Sequence, residues 1–199
     1  MIRAIIFDID GVLADSRRAV VQNTSELLSE YGFFVANEKI ERMSSAHSAE
    51  TVLTALVPAI GQDDALKETM LLRLSEITAR NLHLVSPTFL ADCLEDVSKK
   101  YALAAASNRK KSAKMVLGKL GILSFFKAVV TSSDAPPKPD PKMIILALEK
   151  LGVKPEDAIF VGDNAEDEMA GRAAGVRTVL IDGTDPAACK RFLAEIGRG

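Results

Sequence analysis

Residues 4–11 read Ala-Ile-Ile-Phe-Asp-Ile-Asp-Gly, a short apolar run that ends in two carboxylates and a glycine. An uninterrupted apolar run of this length is typical of a strand buried on both faces of a parallel sheet. Ligands bind to such sheets at the carboxyl ends of the strands. The stretch therefore predicts a central parallel strand with Asp8 and Asp10 at the ligand-binding edge, and Gly11 permits a sharp turn after them.

Further apolar runs along the chain have the length and composition of buried strands. They lie at 102–106, 128–131, 158–161 and 178–181. Helical patterns separate the later runs, and in one of them Asp140 is the expected cap, with Pro141 at the first helical position and Gly152 just past the end. Strands that alternate with helices predict a doubly wound, mainly parallel α/β sheet.

The long segment between the first two predicted strands, residues 15–84, has helical rather than strand patterns. These patterns fall at 17–31, 38–43, 49–56 and 63–80, with Asn37 and Ser48 as expected caps. A structureless loop of this length is uncommon in a compact domain. We therefore expect a small α-helical cap domain at 15–84, inserted into an α/β core formed by 1–14 and 85–199.

The composition excludes several classes of function. Of the 199 residues 48% are hydrophobic, and the net charge of −2 offers no basic footprint for nucleic acid or an anionic membrane. No segment approaches the roughly 20 apolar residues of a membrane span, and the N-terminal apolar run is too short for a signal peptide. Cys93 and Cys189 form no metal or redox motif, so we expect reduced packing residues in a cytoplasmic protein. The sequence does not distinguish a monomer from a homodimer.

Polar side chains follow several predicted strands where each strand ends. Ser107 and Asn108 follow the second strand, Lys138 follows the third, and Asp163 with Asp167 follows the fourth. Together with Asp8 and Asp10 they bring carboxylates, a hydroxyl and an ammonium group to one sheet edge.

This predicted cluster needs positive charge. Two carboxylates ~4 Å apart repel each other by about 4 kcal/mol at an effective dielectric constant near 20. Lys138 supplies one positive charge, and a divalent ion would supply two more. Oxygen ligands without a nearby His or Cys favour Mg²⁺ over Zn²⁺. Such a site suits phosphoryl transfer, which depends on charge neutralisation and in-line positioning.

The motifs resemble, in order, those of the haloacid dehalogenase superfamily, most closely its phosphoglycolate-phosphatase/β-phosphoglucomutase-like branch with a helical cap. The matching motifs are Asp8-Ile9-Asp10-Gly11-Val12, Ser107-Asn108, Lys138-Pro139-Asp140-Pro141 and Val161-Gly162-Asp163-Asn164. The resemblance implies a Rossmann-like core and Mg²⁺-dependent hydrolysis of a small phosphorylated metabolite, such as phosphoglycolate or a sugar phosphate, through a phospho-aspartate.

The resemblance also implies roles for individual residues. Asp8 would be the nucleophile and a metal ligand. Asp10 would be the general acid and then the base, and would bind Mg²⁺ through its backbone carbonyl. Lys138 would balance the charge between Asp8 and the phosphoryl group.

The remaining roles concern phosphate and metal. By the same resemblance, Ser107 and the Asn108 amide would hold the phosphoryl oxygens, and Asp163 would complete the metal site. Asp167 would lie in the outer coordination shell of the metal or bind a secondary metal ion.

Other activities remain open at this stage. Phosphomutases of this branch typically have a His shortly after the nucleophile loop, where this sequence has Arg17 and Arg18. Halide-releasing relatives lack the second aspartate, which Asp10 supplies. A phospho-accepting signalling domain would have its acceptor on a later strand and no helical insertion. A kinase is disfavoured because no Gly-x-x-x-x-Gly-Lys-Ser/Thr loop is present.

Nearby basic residues receive less specific predictions. The Arg109-Lys110-Lys111 turn could attract an anionic substrate, although a solvated basic turn is the expected arrangement. His47 is a possible substrate contact in the cap, and His83 is expected at the junction of cap and core.

Overall fold

A computed structural model describes residues 1–44 and 48–197 of the chain. Within these residues the strands are β1 (Ala4–Phe7), β2 (Ala14–Asp15), β3 (Ser86–Pro87), β4 (Ala102–Ser107), β5 (Phe126–Thr131), β6 (Ala158–Gly162) and β7 (Arg177–Leu180). The helices are α1 (Arg17–Glu30), α2 (Asn37–Ser44), α3 (Ala49–Leu56), α4 (Asp64–Arg80), α5 (Leu94–Ser98), α6 (Ser112–Lys119), α7 (Lys142–Leu151), α8 (Ala165–Ala173) and α9 (Ala188–Ile196).

The larger of two compact units comprises residues 1–15 and 86–199 and contains a parallel five-stranded sheet. The strand order is β5-β4-β1-β6-β7, so the chain leaves β1 on one side for β4 and returns on the other for β6. This reversal beside β1 is the position where open α/β sheets bind ligands. The doubly wound α/β sheet predicted from the sequence is confirmed.

The sheet is covered by helices that pack against small and branched side chains. Ala104 and Ala106 of β4 are fully buried and belong to one apolar cluster with Ile144 and Ala147 of α7. Alanine at these β4 positions leaves room for α7 to lie close to the sheet. This explains why the strand with the weakest intrinsic β propensity is still part of the core.

The residues that flank helix α7 explain where it begins and ends. Asp140 Oδ1 accepts a hydrogen bond of 2.9 Å from the Lys142 N–H, just before the first residue of the helix. At the other end Gly152 adopts a left-handed conformation with φ +66°. Gly152 ends the helix as predicted, whereas the helix begins at Lys142, one residue later than predicted, with Pro141 rather than Asp140 at the N-cap.

The smaller unit, residues 16–85, consists of α1–α4 and short 3₁₀ turns around its own apolar core. Leu27, Leu53 and Ile60 are fully buried in that core. Ser48 caps α3 by accepting a hydrogen bond from the Thr51 N–H, as predicted. The prediction that Asn37 caps α2 is wrong, because α2 already includes Asn37 as its first residue. The predicted substrate contact His47 lies outside the described residues.

The two chain segments at the boundaries of the units pair with each other as a short β-ladder. Ala14 pairs with Pro87 and Asp15 with Ser86 in the antiparallel β2–β3 pair. Each strand has only two residues, too few for a recognisable sequence pattern. Among the described residues, every helix is too short or too polar to cross a membrane.

Candidate active site

The loop after β1 places Asp8 at the carboxyl end of the central strand. Its backbone N–H continues the sheet by donating to the Val161 carbonyl at 2.8 Å, and the residue is only 5% exposed. Gly11 then turns the chain with φ +76°, and a Cβ built there would lie 1.8 Å from Asp163 Oδ2. Glycine is therefore required twice, for the positive φ and for the close approach of the Asp163 carboxylate.

Lys138 joins two of the acidic side chains. Its Nζ lies 2.7 Å from Asp8 Oδ1 and 2.6 Å from Asp167 Oδ1, and all three side chains are buried. Asn108 holds the Lys138 backbone from both sides: its Oδ1 accepts from the N–H at 2.7 Å and its Nδ2 donates to the carbonyl at 3.3 Å. The peptide bond between Lys138 and Pro139 is cis.

The start of α8 places the other two carboxylates. Asn164 caps the helix by accepting from the Asp167 N–H at 3.1 Å, and it donates to Asp163 Oδ1 at 2.9 Å. Asp167 Oδ2 in turn accepts from the Asp163 N–H at 3.0 Å. One carboxylate oxygen each of Asp8, Asp163 and Asp167 lies within 4.8 Å of the others. Strands β1 and β6, which are neighbours in the sheet, thus bring together residues more than 150 positions apart.

Ser107 ends β4, beside β1, and is buried at 1% exposure. Its Oγ accepts a hydrogen bond of 3.2 Å from the Arg109 N–H, so the hydroxyl is held by the turn that follows the strand. The Asn108 side chain positions Lys138, a task that the sequence pattern did not indicate. Phosphate binding by Ser107 and by the Asn108 amide stays a prediction.

Arg109 is the residue that sequence reasoning missed. Its Nε and Nη2 each lie 2.7 Å from an oxygen of Asp10, and the Arg109 side chain is only 13% exposed. The prediction of a solvated basic turn is therefore wrong for Arg109, whereas Lys110 and Lys111 are exposed as expected. Its position immediately after the Ser107-Asn108 pair at a strand end was the available signal.

Known proteins and a protein family resemble this chain. The family model described as haloacid dehalogenase-like hydrolase matches residues 5–181. The chain belongs to this family. It is 27% identical over 183 residues to pyrophosphatase PpaX of Oceanobacillus iheyensis, a match covering 90% of this chain and 83% of that protein. It is also 30% identical over 186 residues to a phosphoglycolate phosphatase of Pseudomonas putida, with coverages of 89% and 68%.

Solved structures show the same architecture. A haloacid dehalogenase superfamily hydrolase of subfamily IA from Geobacter sulfurreducens superposes with a TM-score of 0.70 at 28% identity, covering 90% of this chain and 86% of that one. A β-phosphoglucomutase from Clostridium difficile superposes with a TM-score of 0.83, covering 100% and 98%. At 19% identity, the latter likeness concerns the fold alone.

Burial governs the electrostatics of this hydrolase's site. Burial raises the pKa of Asp8 well above its usual value, Lys138 counteracts part of that effect, and Asp167 and Asp10 raise the pKa further. Burial would lower the pKa of Lys138, but Asp8 and Asp167 raise it above its ordinary value overall. Lys138 therefore remains an ammonium ion at neutral pH, and the carboxylates around it still call for more positive charge.

The residues present fit a hard divalent cation. Asp8 Oδ1 and Asp167 Oδ1 are both buried and share the Lys138 Nζ as their ion-pair partner, so one positive charge faces two buried carboxylates. The carboxylates of Asp8, Asp163 and Asp167 offer oxygen ligands only, which is the donor set that Mg²⁺ prefers. Both oxygens of Asp167 already serve Lys138 and the Asp163 backbone, so Asp8 and Asp163 are the better direct ligands.

The Asp163 carboxylate predicts a specific pH dependence. Although Asp163 as a residue is exposed, partial desolvation of its carboxylate, followed by repulsion from Asp167, raises the pKa of Asp163 to about 6 from an ordinary value of 3.8. The folded state thus binds a proton that the unfolded chain has already released, and the ionisation of Asp163 makes folding less favourable as pH rises from about 4 to 6. Metal-free wild-type protein should therefore lose stability across this window relative to Asp163→Asn.

Thermal denaturation in EDTA, at a series of pH values between about 4 and 8, measures this difference. The asparagine variant keeps a side chain of the same size next to Asn164, so it serves as the matched control. A melting-temperature difference that stays constant across the series would contradict the raised pKa of Asp163.

Proposed function

We propose that this hydrolase is a Mg²⁺-dependent phosphatase that hydrolyses a small phosphorylated metabolite through a covalent intermediate on Asp8. The observation that carries the proposal is the buried Lys138 ammonium between Asp8 and Asp167, with Asp163 alongside. A nucleophilic carboxylate, a fixed cation and an oxygen-only metal site at one sheet edge are the parts that phosphoryl transfer needs.

The reaction has two steps. Asp8 attacks phosphorus, the ester bond breaks, and the leaving oxygen takes a proton from Asp10. Asp10 then accepts a proton from the water that attacks the phosphorus of the aspartyl phosphate, and inorganic phosphate leaves as Asp8 is restored. A carboxylate nucleophile thus replaces one difficult substitution by two easier ones.

The surrounding residues prepare these steps. Lys138 balances the charge of Asp8 and of the phosphoryl oxygens, and Asn108 holds the Lys138 backbone in place. Ser107 would donate to a phosphoryl oxygen from the neighbouring strand end. The Asp8 and Asp163 carboxylates and the Asp10 carbonyl would hold Mg²⁺, which would supply further positive charge to stabilise the transferred phosphoryl group.

The substrate class is suggested by relatives and by the site. The named relatives are a pyrophosphatase and phosphoglycolate phosphatases, which act on small phosphate compounds. We expect a substrate of similar size and a cytoplasmic location for the enzyme. The proposed enzyme has no nucleic-acid or membrane partner, in keeping with its small net charge of −2.

A screen of phosphorylated metabolites tests the proposal. Phosphate release is measured from p-nitrophenyl phosphate, phosphoglycolate, pyrophosphate and several sugar phosphates, each with Mg²⁺ and with EDTA. We expect release only with the metal. Parallel assays of glucose phosphate isomerisation and of chloride release from chloropropionate cover the mutase and dehalogenase alternatives. Metal-independent release, or isomerisation faster than hydrolysis, would contradict the proposal.

A further inference from the structure

The Arg109 guanidinium contacts the carboxylate that the proposed mechanism uses as its acid. Nε and Nη2 meet the two oxygens of Asp10 at 2.7 Å each, which is a bidentate, planar ion pair. A third contact, from Nη1 to Ser112 Oγ at 3.4 Å, ties the same group to the start of α6. Because two of its three nitrogens bind Asp10, the guanidinium lies beside the place where Asp10 would meet the leaving oxygen.

The Arg109 guanidinium has the geometry that binds an anion. A guanidinium fork binds a carboxylate or phosphate through two parallel hydrogen bonds, which adds geometric selectivity to charge. The Arg109 side chain is 13% exposed, whereas the Asp10 side chain that fills the fork is 37% exposed. The enclosed partner is thus the arginine, and the more accessible one is the carboxylate that a ligand could replace.

The charges of the site lead to the same conclusion. Asp8 and Asp167 share the Lys138 ammonium and Asp163 lies beside them, and this region would take up the cation and the transferred phosphoryl group. A further anion on the leaving side would be repelled by Asp10 unless a second fixed cation were present. Arg109 is the cation that the structure places next to Asp10.

We propose that Arg109 binds a second anionic group on the leaving part of the substrate, with the Asp10 carboxylate occupying its fork when substrate is absent. The inference rests on the proposed phosphatase function and narrows its substrates to phosphate compounds with a carboxylate or another phosphate near the scissile oxygen. Arg109 is then the residue that selects these substrates over phosphomonoesters of similar size whose leaving group carries no charge.

The test compares substrates that differ in one group. Phosphoglycolate and hydroxyethyl phosphate have the same length, but only the former has a carboxylate, and pyrophosphate supplies the second-phosphate case. The selectivity is kcat/KM for each anionic substrate divided by kcat/KM for hydroxyethyl phosphate, measured with Mg²⁺. The variants are Arg109→Met, Arg109→Lys and, as the matched control, Lys110→Met at the adjacent exposed position.

We expect Arg109→Met to lower the selectivity by about 100-fold, the effect of losing a partly buried bidentate charge-assisted pair, with a smaller loss in Arg109→Lys and none in Lys110→Met. Activity on hydroxyethyl phosphate should also fall, though less, because Asp10 loses its partner. The substrate whose selectivity collapses identifies carboxylate or phosphate as the group recognised.

Selectivity for both anionic substrates that is equal in the wild type and the two Arg109 variants would overturn the inference. This outcome is distinct from failure of the phosphatase function, in which hydroxyethyl phosphate and p-nitrophenyl phosphate would also show no metal-dependent hydrolysis by the wild type. Far-ultraviolet circular dichroism checks that each variant folds, and Arg109→Lys keeps the positive charge if Arg109→Met does not fold.

Discussion

Replacing Asp8 with asparagine is expected to lower metal-dependent phosphate release by about 10⁴-fold or more, because the amide cannot form an aspartyl phosphate. The change removes a charge but keeps the shape of the side chain. Burial and the neighbouring carboxylates raise the pKa of Asp8, so the folded protein holds this charge against a penalty. The variant should therefore fold at least as stably as the wild type, and its inactivity would not reflect unfolding.

Two measurements make this expectation specific. Phosphate release is compared with that of Asp96→Asn, the same change on an exposed side chain of α5, which should leave activity unaltered. Mass spectrometry after an acid quench during turnover should find a phosphate adduct on the Asp8 peptide of the wild type and none in the variant. Retention of more than about one per cent of activity by Asp8→Asn would eliminate Asp8 as the nucleophile.

The second large effect is expected for Lys138→Met, in stability as well as in activity. Removing the ammonium leaves Asp8 and Asp167 buried without their shared cation, at positions 5% and 0% exposed. Breaking a buried ion pair from one side typically costs about 3–5 kcal/mol. We expect a loss of this size in the free energy of unfolding of the metal-free protein at pH 7, measured by urea denaturation.

The pH and a second substitution identify the cause of this loss. The deficit should shrink as the pH is lowered, because protonation removes the uncompensated carboxylate charge. Adding Asp167→Asn to Lys138→Met should recover part of the stability, since the amide oxygen can still accept from the Asp163 N–H. Lys99→Met, which breaks exposed pairs with Glu95 and Asp96, should cost far less stability than Lys138→Met. Equal stability of Lys138→Met and the wild type would contradict this account of the site.

The activity of Lys138→Met follows from the same contacts. Without the ammonium, the negative charges of Asp8 and of an incoming phosphoryl group face each other with one cation fewer. Phosphate release should therefore fall together with stability. The Asn108 side chain positions Lys138, because it accepts from the Lys138 N–H at 2.7 Å and donates to the Lys138 carbonyl at 3.3 Å. Removal of the Asn108 side chain should therefore lower phosphate release less than removal of the Lys138 ammonium.

The strands of the core could be predicted because their pattern is local. Four consecutive apolar residues followed by Asp8 and Asp10 identify β1 and its functional end, and Gly152 identifies the end of α7. The helices α1–α4 followed from helical periodicity in the same way. Asn37 was misplaced because helix boundaries depend on one or two residues whose propensities differ little.

The contacts within the site are not local. The side chain of Asn108 holds the backbone of Lys138, 30 positions away, because β4 and the loop after β5 meet at one edge, and the sequence pattern did not indicate this contact. Arg109 was expected in solvent, yet it reaches Asp10 across 99 positions. A basic residue in a turn looks the same in sequence whether water or a distant carboxylate is its partner.

The order of residues along the chain thus sets which chemical groups end each strand, since the apolar runs, turns and caps are read within a few residues. It does not set which of those groups become partners. The sheet order β5-β4-β1-β6-β7 makes β4 and β6 the two neighbours of β1, and this adjacency brings Arg109 to Asp10 and Asp163 to the Gly11 turn. Pairing between distant strands determines the distances between these side chains. Those distances determine which carboxylates share a cation and how their pKa values shift.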